Sequence, residues 1–226
     1  MPAPMRQPSA NASGPAGAAG YYDPLLAYAR DPDDPVTRTF VSAIELARSS
    51  SRLAGRAGFG LDADEFGALL DRYFPGARDA YLTVGAGFGP RSDEGRNRGP
   101  KPAPTAAPKL DEFEDLVTLL LDHRSDDSRE SRWLAYAIAA CCMGDDHLWQ
   151  DMGLPDRQAL SDLLARRFAA LHAGNTEGMR WKKFFYKQLC EREGAFVCRS
   201  PSCAVCAEYS NCFGPEEESA WRPAKR

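Results

Sequence analysis

Apolar residues recur at spacings of three and four through most of the chain. Val36, Phe40, Ile44 and Ala47 follow one another as one face of a helix requires, and Asp34-Pro35 ahead of them supplies an N-cap and a first-turn proline. A second helix starts near Asp62 or Asp64, turns Phe66, Leu69, Leu70 and Tyr73 inward, and stops at Pro75. Further on, Phe113, Leu116, Val117, Leu120 and Leu121 form a stripe. Trp133, Leu134, Ala137, Ile138 and Cys141 form another, ended by Gly144. Leu160, Leu163, Leu164, Phe168 and Leu171 form a third, ended by Gly174. Between the last two, Asp145 or Asp146 is placed to cap a short helix through His147, Leu148 and Trp149, with Gly153 closing it. Alternation with a period of two is missing and no internal repeat occurs, so the pattern predicts an all-α helical bundle.

Two stretches break the pattern. Residues 1–20 are rich in Ala, Pro, Gly and Ser with one charge, Arg6, and read as a disordered leader without the apolar run of a secretory signal. Residues 84–109 mix glycines and prolines with Arg and Lys and read as a mobile linker. The expected organisation is thus a leader over 1–20, N-terminal helices over 21–83, the linker over 84–109, a helical metal-cluster domain over 110–214 and a tail over 215–226.

Composition narrows the function. The chain has 226 residues with 43% hydrophobic content, enough for one substantial core. A formal charge of -4 gives no global basic field for nucleic acid or anionic membrane. No run approaches the ~18 apolar residues of a membrane span. A cytoplasmic protein is expected. Its seven cysteines, four of them in one short segment, then fit metal ligation better than disulfides.

Ahead of that segment, Asn175 is placed to cap a helix from about Glu177 to Glu193, stopped by Gly194. Trp181, Phe184, Phe185 and Leu189 share one face, and Arg180, Lys183, Lys187 and Cys190 share the other. The aromatic face reads as core. The basic face reads either as a solvated back or as a surface that neutralises an anionic cluster, attracts an oxyanion such as molybdate, or docks an acidic partner.

In the segment CRSPSCAVCAEYSNC, Cys198, Cys203, Cys206 and Cys212 are separated by four, two and five residues. Four thiolates gathered by one loop repel one another unless a metal core holds them. Thiolate selects zinc, Cu(I) or iron-sulfur chemistry. Structural zinc sites pair two short cysteine knuckles across a longer segment, whereas this set is compact in the manner of a ferredoxin run, which favours a cluster.

The stretch from Met179 to Gly214, MRWKKFFYKQLCEREGAFVCRSPSCAVCAEYSNCFG, resembles the C-terminal signature of the NifQ family in its cysteine spacing, its Arg-Trp-Lys-Lys-Phe-Phe-Tyr helix and its Cys-Phe-Gly exit. The His147-Leu148-Trp149 and Leu119-Leu120-Leu121-Asp122-His123-Arg124 runs are also similar, so the resemblance covers roughly residues 110–214. It implies a molybdenum-iron-sulfur cluster, built on a 3Fe-4S or 4Fe-4S precursor, carried on the four cysteines. It also implies that this cargo is given up, together with the nitrogenase iron protein, to the scaffold that assembles the iron-molybdenum cofactor. The expected role is a donor in nitrogen fixation and not an enzyme. Two other classes remain open: a zinc-stabilised four-cysteine interaction or regulatory module, and an electron-transfer protein that keeps its cluster.

Three histidines are candidates for lesser roles. His147 could ligate or hydrogen-bond a cluster, while His123 and His172 read as structural, and the adjacent Cys141 and Cys142 read as core. No Gly-rich phosphate loop, nucleophile elbow or His-Glu-x-x-His helix occurs.

Overall fold

The computed structural model describes residues 24–83, 112–192, 194 and 209–214. The predicted leader, linker and tail lie outside them. Among the described residues every regular element is helical and none is a strand, which agrees with the all-α expectation. No helix among them is long and apolar enough to cross a membrane.

Helix α1 (Pro35–Ser49) begins as its sequence dictates: the Asp34 carboxylate accepts the Thr37 N–H at 2.9 Å and Pro35 occupies the first turn. It buries Phe40, Val41, Ala43 and Ile44. Helix α2 (Ala63–Tyr73) is capped by Asp62, which accepts the Glu65 N–H at 2.8 Å, and buries Phe66, Leu69 and Leu70. The short α3 (Arg78–Thr83) follows. Between α1 and α2, a tight turn holds Phe59 at a φ of 44°, strained for a residue with a side chain, and sets its fully buried ring against Phe40 and Phe66.

Next among the described residues, α4 (Glu112–Asp122) buries Phe113, Leu116, Val117, Leu119 and Leu120. Helix α5 (Arg129–Cys142) is the centre of the fold. Its sequence suggests a single apolar stripe, yet Trp133, Leu134, Ala135, Ala137, Ile138, Ala139, Ala140, Cys141 and Cys142 are all buried. The reason is that α5 is enclosed on several sides: α1 runs along it, α4 packs on it, and the Phe59 turn and α6 (Leu148–Asp151) complete the enclosure. The helices before residue 84 and after residue 111 therefore share one hydrophobic core.

The third predicted stripe is not one helix. It divides into α7 (Arg157–Arg167) and α8 (Ala169–Gly174) at Phe168, whose backbone leaves helical geometry at φ -141° and ψ 53°. The break is stabilised by the loop between α4 and α5. Ser125 donates its N–H to the Arg167 carbonyl at 2.8 Å and accepts the Ala169 N–H on its hydroxyl at 3.0 Å. Phe168 itself is fully buried.

Candidate functional site

The helix ahead of the cysteines, α9 (Trp181–Arg192), starts four residues later than its sequence predicts. Asn175 does not cap it. Its side chain is consumed locally, accepting the Met179 N–H and donating to the Met179 carbonyl, both at 2.8 Å. Gly178 turns the chain at a φ of 67°, and Arg157 holds the loop onto α7 by donating to the carbonyls of Gly178 and Met179 at 2.7 and 2.9 Å. Arg180 thereby becomes the residue just before the helix. Its carbonyl accepts the Phe184 N–H at 2.9 Å.

The aromatic face is core, as expected. Trp181, Phe184 and Phe185 are buried with ring centroids 5.8–6.1 Å apart, and Leu189 is half-buried. His172 stacks on Trp181 at 5.9 Å and meets the Ser161 hydroxyl at 3.1 Å, while His123 meets the Leu119 carbonyl at 2.8 Å. Both histidines hold structure. The basic residues separate into different environments. Lys187 is exposed and lies 3.7 Å from Glu191, and Arg192 pairs with Asp122 at 2.9 Å. Lys183 is exposed and makes no ion pair among the described residues.

Lys182 turns inward. Its ammonium donates to the Gly144 carbonyl at 2.8 Å and pairs with the Asp151 carboxylate. Asp151 lies in α6 (Leu148–Asp151), the short helix after α5. Burial raises the Asp151 pKa above the ordinary carboxylate value, and Lys182 opposes that rise. Helix α6 is preceded by His147, not by Asp145 or Asp146 as the sequence suggests. The His147 N–H donates to the Gln150 side chain at 3.0 Å, and Asp145 is drawn away to Arg52 at 3.0 Å. Sequence reasoning found no signal for the Lys182–Asp151 pair, because its members are 31 residues apart.

A cavity of about 160 Å³ lies between the starts of α6 and α9, with Asp146, His147, Arg180, Trp181, Lys182 and Lys183 in its wall. It joins two of the predicted contact residues, Arg180 and Lys183, to His147; Lys187 is not among its lining. A wider cleft of about 940 Å³ near α1, α2 and α5 contains Arg72 and Glu130, which pair at 3.2 Å, and carries neither cysteine nor histidine.

Of the four predicted metal ligands, the structure places Cys212. It sits in α10 (Tyr209–Phe213), half-buried against the core, and its carbonyl accepts the Arg180 N–H at 2.8 Å. That bond fixes the end of the cysteine segment to the start of α9. Cys198, Cys203 and Cys206 lie outside the described residues. Among the described residues no three His, Cys, Asp or Glu side chains gather as a metal site. Cys141 and Cys142 are buried in α5, where desolvation pushes the Cys142 thiol up to about 12 and the Cys141 thiol well above its usual value. They are core thiols. Cys190 is half-buried on α9.

The sequence model of the NifQ family matches residues 39–214, a span that starts within α1 and takes in all four clustered cysteines. Over 108 residues the chain is 54% identical to Protein NifQ of Azotobacter vinelandii, covering 48% of this chain and 55% of that one. It is 47% identical over 108 residues to a NifQ homolog of Sinorhizobium fredii, covering 48% and 47% of the two chains. It is 37% identical over 160 residues to Protein NifQ of Rhodobacter capsulatus, covering 71% of this chain and 78% of that one. The chain thus spans about half the length of the first two relatives. No solved structure matches it.

Proposed function

Because the chain belongs to the NifQ family, which serves nitrogen fixation, we propose that it carries a molybdenum-iron-sulfur cluster on Cys198, Cys203, Cys206 and Cys212 and donates the molybdenum to assembly of the nitrogenase iron-molybdenum cofactor. The observation that carries the proposal is that the family match, over residues 39–214, takes in the four-cysteine segment. Chemistry agrees with it. Four thiolates within fifteen positions are a soft, strongly anionic ligand set that favours iron-sulfur cargo and cannot stay ionised together without it. The Arg180–Cys212 main-chain bond gives such a segment a fixed return point, which lowers the ordering cost of wrapping a cluster. The partners on this reading are the cofactor-assembly scaffold and the nitrogenase iron protein.

Anaerobic purification followed by iron, molybdenum, sulfide and zinc analysis and an absorption spectrum tests the reading. A brown protein with iron and molybdenum is expected, and Ala at any of the four cysteines should lower the metal while Cys141→Ala and Cys142→Ala leave it. A colourless protein holding zinc alone would replace the donor with a zinc-stabilised module. Donation itself is tested with no free molybdate present: cofactor formed should plateau near the molybdenum brought in, and a yield many times that load would rule out a consumed donor.

A further inference from the structure

We propose that Arg157 and Gly214 are positioning residues for Cys212, fixing that one thiol on the fold before any metal arrives. That Cys212 is a metal ligand rests on the function proposed above; that these two residues hold it does not.

Helix α10 has five residues, far below the ~12–15 that an isolated helix needs in water, so its place depends on what surrounds it. Cys212 and Phe213 are half-buried against the core. The backbone supplies the direction. The Arg180 N–H donates to the Cys212 carbonyl at 2.8 Å, and that N–H belongs to the same planar peptide as the Met179 carbonyl. The other edge of the peptide is held twice: the Met179 carbonyl accepts from the Arg157 guanidinium at 2.9 Å and from the Asn175 side-chain amide at 2.8 Å. Bonds on both edges of one peptide polarise it in the same sense and keep it from rotating. Arg157 also donates to the Gly178 carbonyl at 2.7 Å, and it stands in the first turn of α7, which is anchored in the core by Leu160, Leu163 and Leu164. A continuous path thus runs from a core helix through one guanidinium and one peptide to Cys212.

The other side of Cys212 is closed by Gly214. Its N–H donates to the Ser210 carbonyl at 2.9 Å, which turns the chain over the end of α10. A Cβ at Gly214 would lie 2.4 Å from that same carbonyl oxygen and 3.2 Å from its carbon. Both are backbone atoms that cannot swing aside as a side chain would, so any residue but glycine forces open the turn that carries Cys212. A ligand already in place adds no ordering cost of its own when a metal binds, which is what such a tether contributes to a site. The holding itself involves no other cysteine.

The test uses the full-length, metal-free protein under anaerobic conditions, with cysteine alkylation by iodoacetamide followed residue by residue by peptide mass spectrometry. In Gly214→Ala and in Arg157→Gln, Cys212 should be labelled about fivefold faster than in the unaltered chain, the change expected when a local closure of one hydrogen bond is lost. Arg157→Lys, which can still donate to one of the two carbonyls, should recover part of the protection. Cys190 should keep its rate and Cys141 and Cys142 should stay unlabelled, which separates release of Cys212 from a general loosening of the fold. After reconstitution with iron and sulfide, the same two variants should lose iron to a ferrous chelator about fivefold faster. Unchanged labelling of Cys212 in both Gly214→Ala and Arg157→Gln would overturn the positioning, as would labelling of Cys141 or Cys142 that rises together with it. Faster labelling with metal retained in full by both variants and by Cys212→Ala would overturn it too, because the held thiol would then not be a ligand. If labelling and metal loss respond as expected but the protein as purified holds zinc alone, the positioning stands and the molybdenum reading falls.

Discussion

Replacing Lys182 with Met should destabilise the protein more than any other single change to α9's charges. Its ammonium bonds the Asp151 carboxylate and the Gly144 carbonyl, and the two charged side chains are only 17% and 9% exposed. With Lys182 gone, the carboxylate stays in a dry site without a counter-charge, and the Gly144 carbonyl loses its donor. Breaking one side of a buried pair costs ~3–5 kcal/mol, of which about 1 kcal/mol is the neutral hydrogen bond. For a chain of 226 residues, at about 2–4 °C per kcal/mol, the midpoint should fall by roughly 6–20 °C. The pH dependence identifies the cause. The folded Asp151 pKa is already raised by burial, and losing Lys182 raises it further. An acid whose folded pKa exceeds its unfolded value of about 3.9 destabilises the fold above the folded pKa, and that cost is released as pH falls toward the unfolded value. The gap between wild type and variant should therefore be widest near neutral pH and narrow on acidification. Adding Asp151→Leu should recover much of the loss, since a buried pair replaced by apolar groups is close to neutral. Urea unfolding followed by the fluorescence of the buried tryptophans measures all of this. A loss under about 1 kcal/mol at pH 7, a gap that widens in acid, or a double variant no better than the single would refute the reasoning.

Gly153→Ala should cost about 1–3 kcal/mol in urea unfolding, because Gly153 has a φ of 66° and an added Cβ would come within 2.6 Å of the Ser42 hydroxyl; pairing it with Ser42→Ala should recover the steric part and leave the backbone part. Ser125→Ala should lower stability by about 1–2 kcal/mol, since the Ala169 N–H at the α7–α8 break loses its acceptor, while Ser125→Asn, which can still accept, should cost less. Cys141 and Cys142 should stay unmodified by thiol reagents in the native protein. Their folded pKa values lie above the unfolded value of about 8.5, so the stability of the neutral thiols is complete below that pH and drains as pH rises toward 12. Cys142→Ala should flatten the loss measured by chemical unfolding at pH values above about 8.5, and an unchanged slope would contradict the assigned burial.

Local signals predicted the elements whose causes are local. Asp34-Pro35 and Asp62 start their helices because a carboxylate three residues ahead of an N–H is all that a cap requires. The aromatic face of α9 is legible for the same reason: Trp181, Phe184 and Phe185 are large, and their spacing alone aligns them. Features that depend on a distant partner were not legible. Ala135, Ala139 and Ala140 look neutral in a periodicity count, and only the passage of α1 along α5 makes them core. Nothing at Phe168 itself ends a helix; the break is held by Ser125, 44 residues from Ala169. Asn175 offers a capping side chain like any other, but Met179 competes for it and wins both of its hydrogen bonds.

The candidate site divides along the same line. Cysteine spacing is a covalent property of the chain, so a candidate ligand set can be named without a structure. The surroundings of that set depend on where α9 begins. Had the helix started at Glu177, Arg180 would lie inside it with its N–H bonded to a carbonyl four residues earlier. Starting at Trp181 instead releases that N–H to take the Cys212 carbonyl. It also places Arg180 and Lys183 at the helix's positive end and leaves Lys182 to reach Asp151. One shift of four residues in a helix boundary, imposed by the Asn175–Met179 loop and Arg157, thus decides both how the cysteine segment is tethered and which lysine turns inward to Asp151. Helix boundaries are the least secure feature of any sequence pattern. For that reason a candidate ligand set is readable from residue order, whereas the cavity at the start of α9 required the fold.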